Sequence, residues 1–303
     1  MAYTFHTLDV FTENRFAGNG LAVVLDADEL NTPQMQAIAR EFNQSETVFV
    51  MRASNPAHSA KVRIFTPSLE LPFAGHPTVG TAILLTLLKA QFGSGEGEAL
   101  MVLEQGIGNI RVGVKLRTGQ APFAEFDAPK LPELTGHMPG VERLASSVGL
   151  LPSEIGFENH QPSRSEAGNA FALIPVATRE ALGKAEVNLA QWTAAFADAG
   201  VIGAYLYTRE CVHNTSSFHA RMFAPSHGVP EDPATGSAAV CFAGAVLHFD
   251  KLPDGIHRRV IEQGFAMGRP SFMTLTLSVR NGRLDTVRLG GQAVRVTSGM
   301  MEI

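Results

Sequence analysis

Arg63-Ile-Phe-Thr-Pro-Ser68 returns later in the chain as Arg221-Met-Phe-Ala-Pro-Ser226. Each copy reads as a strand running into a turn. Behind each comes a proline-led helix start, Pro77-Thr-Val-Gly-Thr-Ala82 in one place and Pro233-Ala-Thr-Gly-Ser-Ala238 in the other. The separations are 158 and 156 residues, so one two-residue gap aligns both blocks. Any strand–loop–helix unit reuses Pro and Gly as punctuation. Two matches in the same order, each leading into the same unusual helix, favour duplication instead.

The helices are unusual because they have no polar face. Residues 77–88 are apolar on nearly every side after Gly80, and residues 234–249 repeat the pattern. A helix that is hydrophobic all round must be buried all round. Each half is therefore expected to wrap a sheet around one buried helix, giving an α+β fold of two pseudo-symmetric domains.

Outward from these blocks the elements alternate. Residues 3–10, 21–25, 47–51, 61–65, 99–103 and 109–116 read as strands, with a turn at Gly18-Asn19-Gly20 and a turn-rich break at residues 93–98. Thr32-Pro33 opens an amphipathic helix, Thr as N-cap, with Met35, Ile38, Ala39 and Phe42 on one face. Four prolines, at 122, 129, 132 and 139, mark the crossing between domains. Helices are expected at 142–147 and 189–199. Further strands fall at 170–175, 201–207, 219–223, 271–279 and 286–289. The expected division is residues 1–120 with about 293–303 in one domain and 121–292 in the other.

Composition narrows the class. The chain has 303 residues, 45% of them hydrophobic and 17% charged, which is globular and long enough for two cores. A net charge of −5 argues against a nucleic-acid surface. No membrane span and no signal peptide are visible. Two cysteines, Cys211 and Cys241, suggest a reducing compartment, so a cytoplasmic location is expected.

Three titratable residues stand out. Glu46, at a helix-to-strand junction, could be a general base if burial lifts its pKa, or a solvated or capping Glu. His76 precedes the first helix proline, where the helix dipole disfavours imidazolium; it could relay a proton or be structural. Asp232 precedes the second proline and could be an N-cap with or without a catalytic role. In the two-residue-gap alignment His76 and Asp232 are equivalent, each beside a helix start whose free N–H groups suit a carboxylate. Thr78 and Ser237 could add hydroxyls. No metal-ligand spacing, dinucleotide fingerprint or nucleophile elbow is present. A two-thiol racemase would need a Cys at each helix start, where this reading puts His76 and Asp232. A non-catalytic binder of small acids is the alternative.

Several segments carry a family resemblance: Asn43-Gln-Ser-Glu-Thr-Val-Phe49, Glu70-Leu-Pro-Phe-Ala-Gly-His-Pro77, Glu231-Asp-Pro-Ala-Thr-Gly-Ser-Ala238, and Gln263-Gly with Gly268-Arg-Pro-Ser271. Together they resemble the phenazine-biosynthesis isomerase (PhzF-like) family, akin to diaminopimelate epimerases. The resemblance implies two domains, each a curved, mostly antiparallel sheet around a central helix. It implies a homodimer acting on a small carboxylate without metal or coenzyme. Glu46 matches the general base. Ser45, Gly75, His76, Asp232, Gly236 and Ser237 match substrate-binding and proton-relay positions. The family often has Gly-Asn-Pro where this chain has Gly18-Asn19-Gly20.

Overall fold

The computed structural model describes residues 2–89 and 96–303. Sheet dominates an α+β fold. The chain divides into two compact units, Met1–Pro129 with Gly290–Ile303, and Lys130–Leu289. Of the turn-rich break read at residues 93–98, positions 93–95 lie outside the described residues.

In the first unit, β1 (Ala2–Val10) pairs antiparallel with β2 (Asn19–Val24) and with the closing strand of the chain. Helix α1 (Thr32–Phe42) leads to β3 (Glu46–Met51), which lies parallel to β2. Then β4 (Ala60–Phe65) runs antiparallel to β3 and to the short β5 (Glu70–Leu71). Helix α2 (Gly75–Leu88) follows. β6 (Gly97–Gln105) returns parallel to β4 and forms a hairpin with β7 (Gly108–Leu116), which β8 (Phe123–Asp127) extends.

α1 starts one residue earlier than its sequence suggests. Asn31, not Thr32, is the N-cap: its Oδ1 accepts from Gln34 N–H at 3.0 Å, and Gln34 Oε1 accepts from Asn31 N–H at 3.0 Å. This reciprocal capping box outcompetes a lone Thr hydroxyl because it satisfies two donors at once. α1 packs Met35, Ile38 and Ala39 against Val24, Phe49 and Phe65 on the outer side of the sheet.

The second unit contains β9 (Glu133–Leu134), α3 (Val141–Ser147), β10 (Ser163–Ala167), β11 (Asn169–Pro175), α4 (Arg179–Lys184) and α5 (Leu189–Phe196). Next come β12 (Gly203–Thr208), β13 (Phe218–Ala224), β14 (Val229–Asp232), α6 (Gly236–Asp250), β15 (Gly255–Gln263) and β16 (Ser271–Arg280). The last strand, β17 (Arg283–Glu302), begins in this unit and ends in the first. Helices α3, α4 and α5 cover the outer side of its sheet, burying Leu144, Leu182 and Trp192 against Leu206 and Phe223. α4 was not anticipated: six residues are too few for a helical period to show.

The pairing patterns of the two units correspond strand by strand. β11 and β12 are parallel, as are β2 and β3. Tyr205 pairs with Met222 as Val48 pairs with Ile64. Phe218 pairs in parallel with Ile261 as Ala60 does with Leu103. α2 is buried from Gly75 to Leu84 and α6 from Ala238 to Val246, as helices without a polar face must be, but their last turns are not: Leu87 and Leu88 are exposed, and so is His248.

Candidate active site

Glu46 opens β3 directly after the turn that ends α1, where Asn43 takes a left-handed conformation. Successive strand residues alternate faces. Phe49 enters the outer core with α1, so Glu46 and Val48 point the opposite way, toward α2. His76 is the second residue of α2 and is 5% exposed. Its Nε2 lies 3.2 Å from Glu46 Oε2. The ring also hydrogen-bonds to the Gly20 backbone. Burial pulls the imidazole pKa down to about 3, against a smaller upward pull from the Gly20 bond. His76 is therefore neutral at pH 7, and its contact with Glu46 is not a salt bridge despite the distance.

Around this pair, Gly75 is the first residue of α2 and is buried, whereas Ser45 is exposed. No side chain caps α2, whose N-cap is Ala74. The early N–H groups of such a helix are donors with a partial positive charge behind them. Thr78 does not add a hydroxyl donor outward: its Oγ1 donates to Ala74 O at 2.7 Å and accepts from Gln105 Nε2 at 2.9 Å.

Asp232 ends β14 in the second unit and is 9% exposed. Thr235 Oγ1 donates to its Oδ2. Gln263 Nε2 donates to the Asp232 carbonyl at 2.7 Å, and Gln263 Oε1 accepts from Thr235 N–H at 3.3 Å. Gly236 and the half-buried Ser237 are the first two residues of α6, which also lacks a side-chain cap.

The expected equivalence of His76 with Asp232 is not what the strand register gives. Arg63 makes a bidentate pair with Glu70, seven residues on; Arg221 makes the same pair with Glu231, ten residues on. Leu71 pairs with Ile64 as Asp232 pairs with Met222. The counterpart of Asp232 is thus Leu71, and that of His76 is Ser237, since Gly75 and Gly236 each begin a helix. The prolines misled the alignment. Pro77 lies inside the first turn of α2, where a missing N–H costs nothing, while Pro233 lies ahead of α6. The two helix starts still carry no cysteine. Cys241 lies within α6 and Cys211 precedes β13, and burial pushes both thiols up to about 12.

The counterpart of Glu46 carries no side chain: it is Gly203. Leu21 pairs with Glu46 as Phe171 pairs with Gly203, and a Cβ at Gly203 would lie 2.6 Å from the Phe223 carbonyl oxygen. Among the described residues, no three His, Cys, Asp or Glu side chains stand close enough to hold a metal ion. No helix among them is long and apolar enough to cross a membrane.

Sequence reasoning missed Gln105, named Thr235 and Gln263 only within motifs and Gly20 only within a turn, and gave none of them a partner. One signal was available: Gln105-Gly106 recurs as Gln263-Gly264 at the same 158-residue spacing as the two arginines. A Cβ on Gly106 would meet Pro72 Cα at 2.9 Å, and one on Gly264 would meet the Pro233 carbonyl oxygen at 2.6 Å.

Residues 8–299 match the phenazine biosynthesis-like protein family. An uncharacterized isomerase of Mesorhizobium japonicum is 49% identical over 298 residues, covering 97% of each chain. The trans-2,3-dihydro-3-hydroxyanthranilate isomerase of Pseudomonas chlororaphis is 34% identical over 298 residues, covering 96% of each. The crystal structure of a Bacillus anthracis phenazine biosynthesis protein of the PhzF family has a TM-score of 0.89 at 24% identity, covering all of both chains, which is a likeness of fold.

Proposed function

This chain belongs to the phenazine biosynthesis-like family of isomerases, and from that premise we propose that it moves a carbon-bound proton within a small carboxylic acid, with Glu46 as general base. The observation that carries this reading is the contact between Glu46 and a neutral, buried His76. An imidazolium beside Glu46 would neutralise its charge and weaken it as a base. A neutral imidazole leaves that charge in place.

The steps balance without an oxidant or reductant. Glu46 takes a proton from a carbon conjugated with the acid group, and the electron pair enters the conjugated system. N–H donors at the start of α2, Gly75 among them, hold the developing negative charge. A proton then returns to another carbon of the same system, from Glu46 or through His76. We assign Asp232, Gly236, Ser237 and Ser45 to substrate binding and proton relay, as the family resemblance implies. The proposal includes no metal or coenzyme. It also includes a homodimer, and an origin of the two units, described as two pseudo-symmetric domains, by duplication, which their shared strand registers support.

Trans-2,3-dihydro-3-hydroxyanthranilate, the compound named for the Pseudomonas relative, is the first substrate to try. In deuterium oxide the wild type should isomerise it with deuterium entering at carbon. Glu46→Gln keeps the shape but cannot take a proton, and should lose roughly 10² to 10⁴ in rate while folding normally. Undiminished exchange in that variant would move the base elsewhere.

A further inference from the structure

Asp232 stands in a row that the first unit leaves apolar. Tyr205, Met222 and Asp232 are register neighbours across β12, β13 and β14. Their counterparts across β3, β4 and β5 are Val48, Ile64 and Leu71. Cross-strand neighbours project from the same face, so the second unit places a carboxylate and a phenol where the first has three aliphatic side chains. A carboxylate in such a row needs a built environment to keep one orientation.

That environment is a short polarised chain. Gln263, with no exposed surface, donates from Nε2 both to the Asp232 carbonyl at 2.7 Å and to Thr235 Oγ1 at 3.2 Å. Its Oε1 accepts from Thr235 N–H. Turning the amide over would set oxygen against oxygen, so the amide orientation is fixed. A hydroxyl has one proton. With Gln263 donating to Thr235 Oγ1, the Thr235 proton is free to go to Asp232 Oδ2, where it is found. In the first unit the matching chain runs from Gln105 Nε2 to Thr78 Oγ1 and ends on the Ala74 carbonyl. The same glutamine thus closes a backbone turn in one unit and aims a carboxylate in the other.

We propose that Thr235 and Gln263 are positioning residues that hold the Asp232 carboxylate in its working orientation. This rests on the assignment of Asp232 to the site above. Thr235→Val removes the hydroxyl at nearly constant shape. It should lower kcat for trans-2,3-dihydro-3-hydroxyanthranilate on the order of tenfold, the scale of one hydrogen bond to a charged group. Thr235→Ser should recover to within about threefold of wild type, since it restores that bond. Gln263→Glu keeps the size but removes both donors, and should reproduce the Thr235→Val loss if Thr235→Val proves unstable. In an Asp232→Asn background, Thr235→Val should cost nothing further, because a positioning residue acts only through what it positions. The same loss in both backgrounds would overturn the proposal. A wild type that leaves the compound unchanged would instead count against the substrate reading. The positioning role would then be decided by crystal structures. In Thr235→Val, or in Gln263→Glu, the Asp232 carboxylate must leave its wild-type rotamer, and an unmoved carboxylate overturns the assignment.

Discussion

A carboxylate oxygen 3.2 Å from an imidazole nitrogen would ordinarily share a positive charge with it, and burial prevents that at Glu46 and His76. The sign of the resulting pH dependence is fixed. His76 in the unfolded chain takes a proton near its ordinary pKa of 6.5, whereas in the folded protein it resists until about pH 3. The unfolded state therefore binds more protons in this window, and stability falls as pH drops from about 6.5 toward 3. The slope from this one residue approaches ~1.4 kcal/mol per pH unit. His6, lowered mainly by burial, adds to it with the same sign. Urea unfolding of wild type and His76→Gln between pH 7 and pH 5 checks this: the variant should lose stability more slowly as pH falls, and equal slopes would mean that His76 is not the resisting group. The candidates Glu46 and His76 could be named from sequence because their segments are distinctive. The Gly20 partner of His76 could not, because a backbone hydrogen bond leaves no mark on residue type. Thr235 and Gln263 lie 28 residues apart, and only the fold joins them.

Helix α2 was legible as an element because twelve residues without a polar face admit few alternatives to a buried helix. Its exact seat was not. Glycine is normally the weaker choice inside a helix, by about 1 kcal/mol against alanine. At Gly80 the preference should invert. A Cβ there would lie 2.6 Å from Leu21 Cδ2 and 2.8 Å from Val10 Cγ2, so the missing side chain is what lets α2 settle against β2 and β1. Gly80→Ala should therefore destabilise the protein by roughly 1–3 kcal/mol, as overpacked cores do, and should reduce turnover because His76 sits one turn away on the same helix. A higher melting temperature in calorimetry would show that the sheet yields and that propensity wins. The strands were legible where they alternate, as in β1 and β16, and their partners were not. The three-residue difference between the Arg63–Glu70 and Arg221–Glu231 loops could be read only from which residues pair, and it moved the counterpart of His76 from Asp232 to Ser237.

The two units differ in how the chain makes them, and that difference has a consequence for folding. The second is one continuous segment, Lys130–Leu289, with its outer core drawn wholly from residues between Met138 and Phe223. The first is assembled from both ends of the chain. β1 pairs along its whole length with the end of β17, from Ala2 opposite Glu302 to Val10 opposite Ala293. Met301 packs on the outer core of that unit. Without residues 290–303, β1 loses one of its two partners and becomes a bare edge, and an apolar contact is lost with it. A long exposed edge of this kind both weakens a sheet and invites association with other chains. Residues 130–289 produced alone should therefore unfold in one cooperative thermal transition, followed by circular dichroism. Residues 1–129 produced alone should aggregate or unfold without a clear transition, and a peptide of residues 290–303 should restore one by taking its place beside β1. Cooperative unfolding of 1–129 without the peptide would show that β2 alone is enough to hold β1, and that the closing strand serves the finished molecule rather than the formation of its first unit.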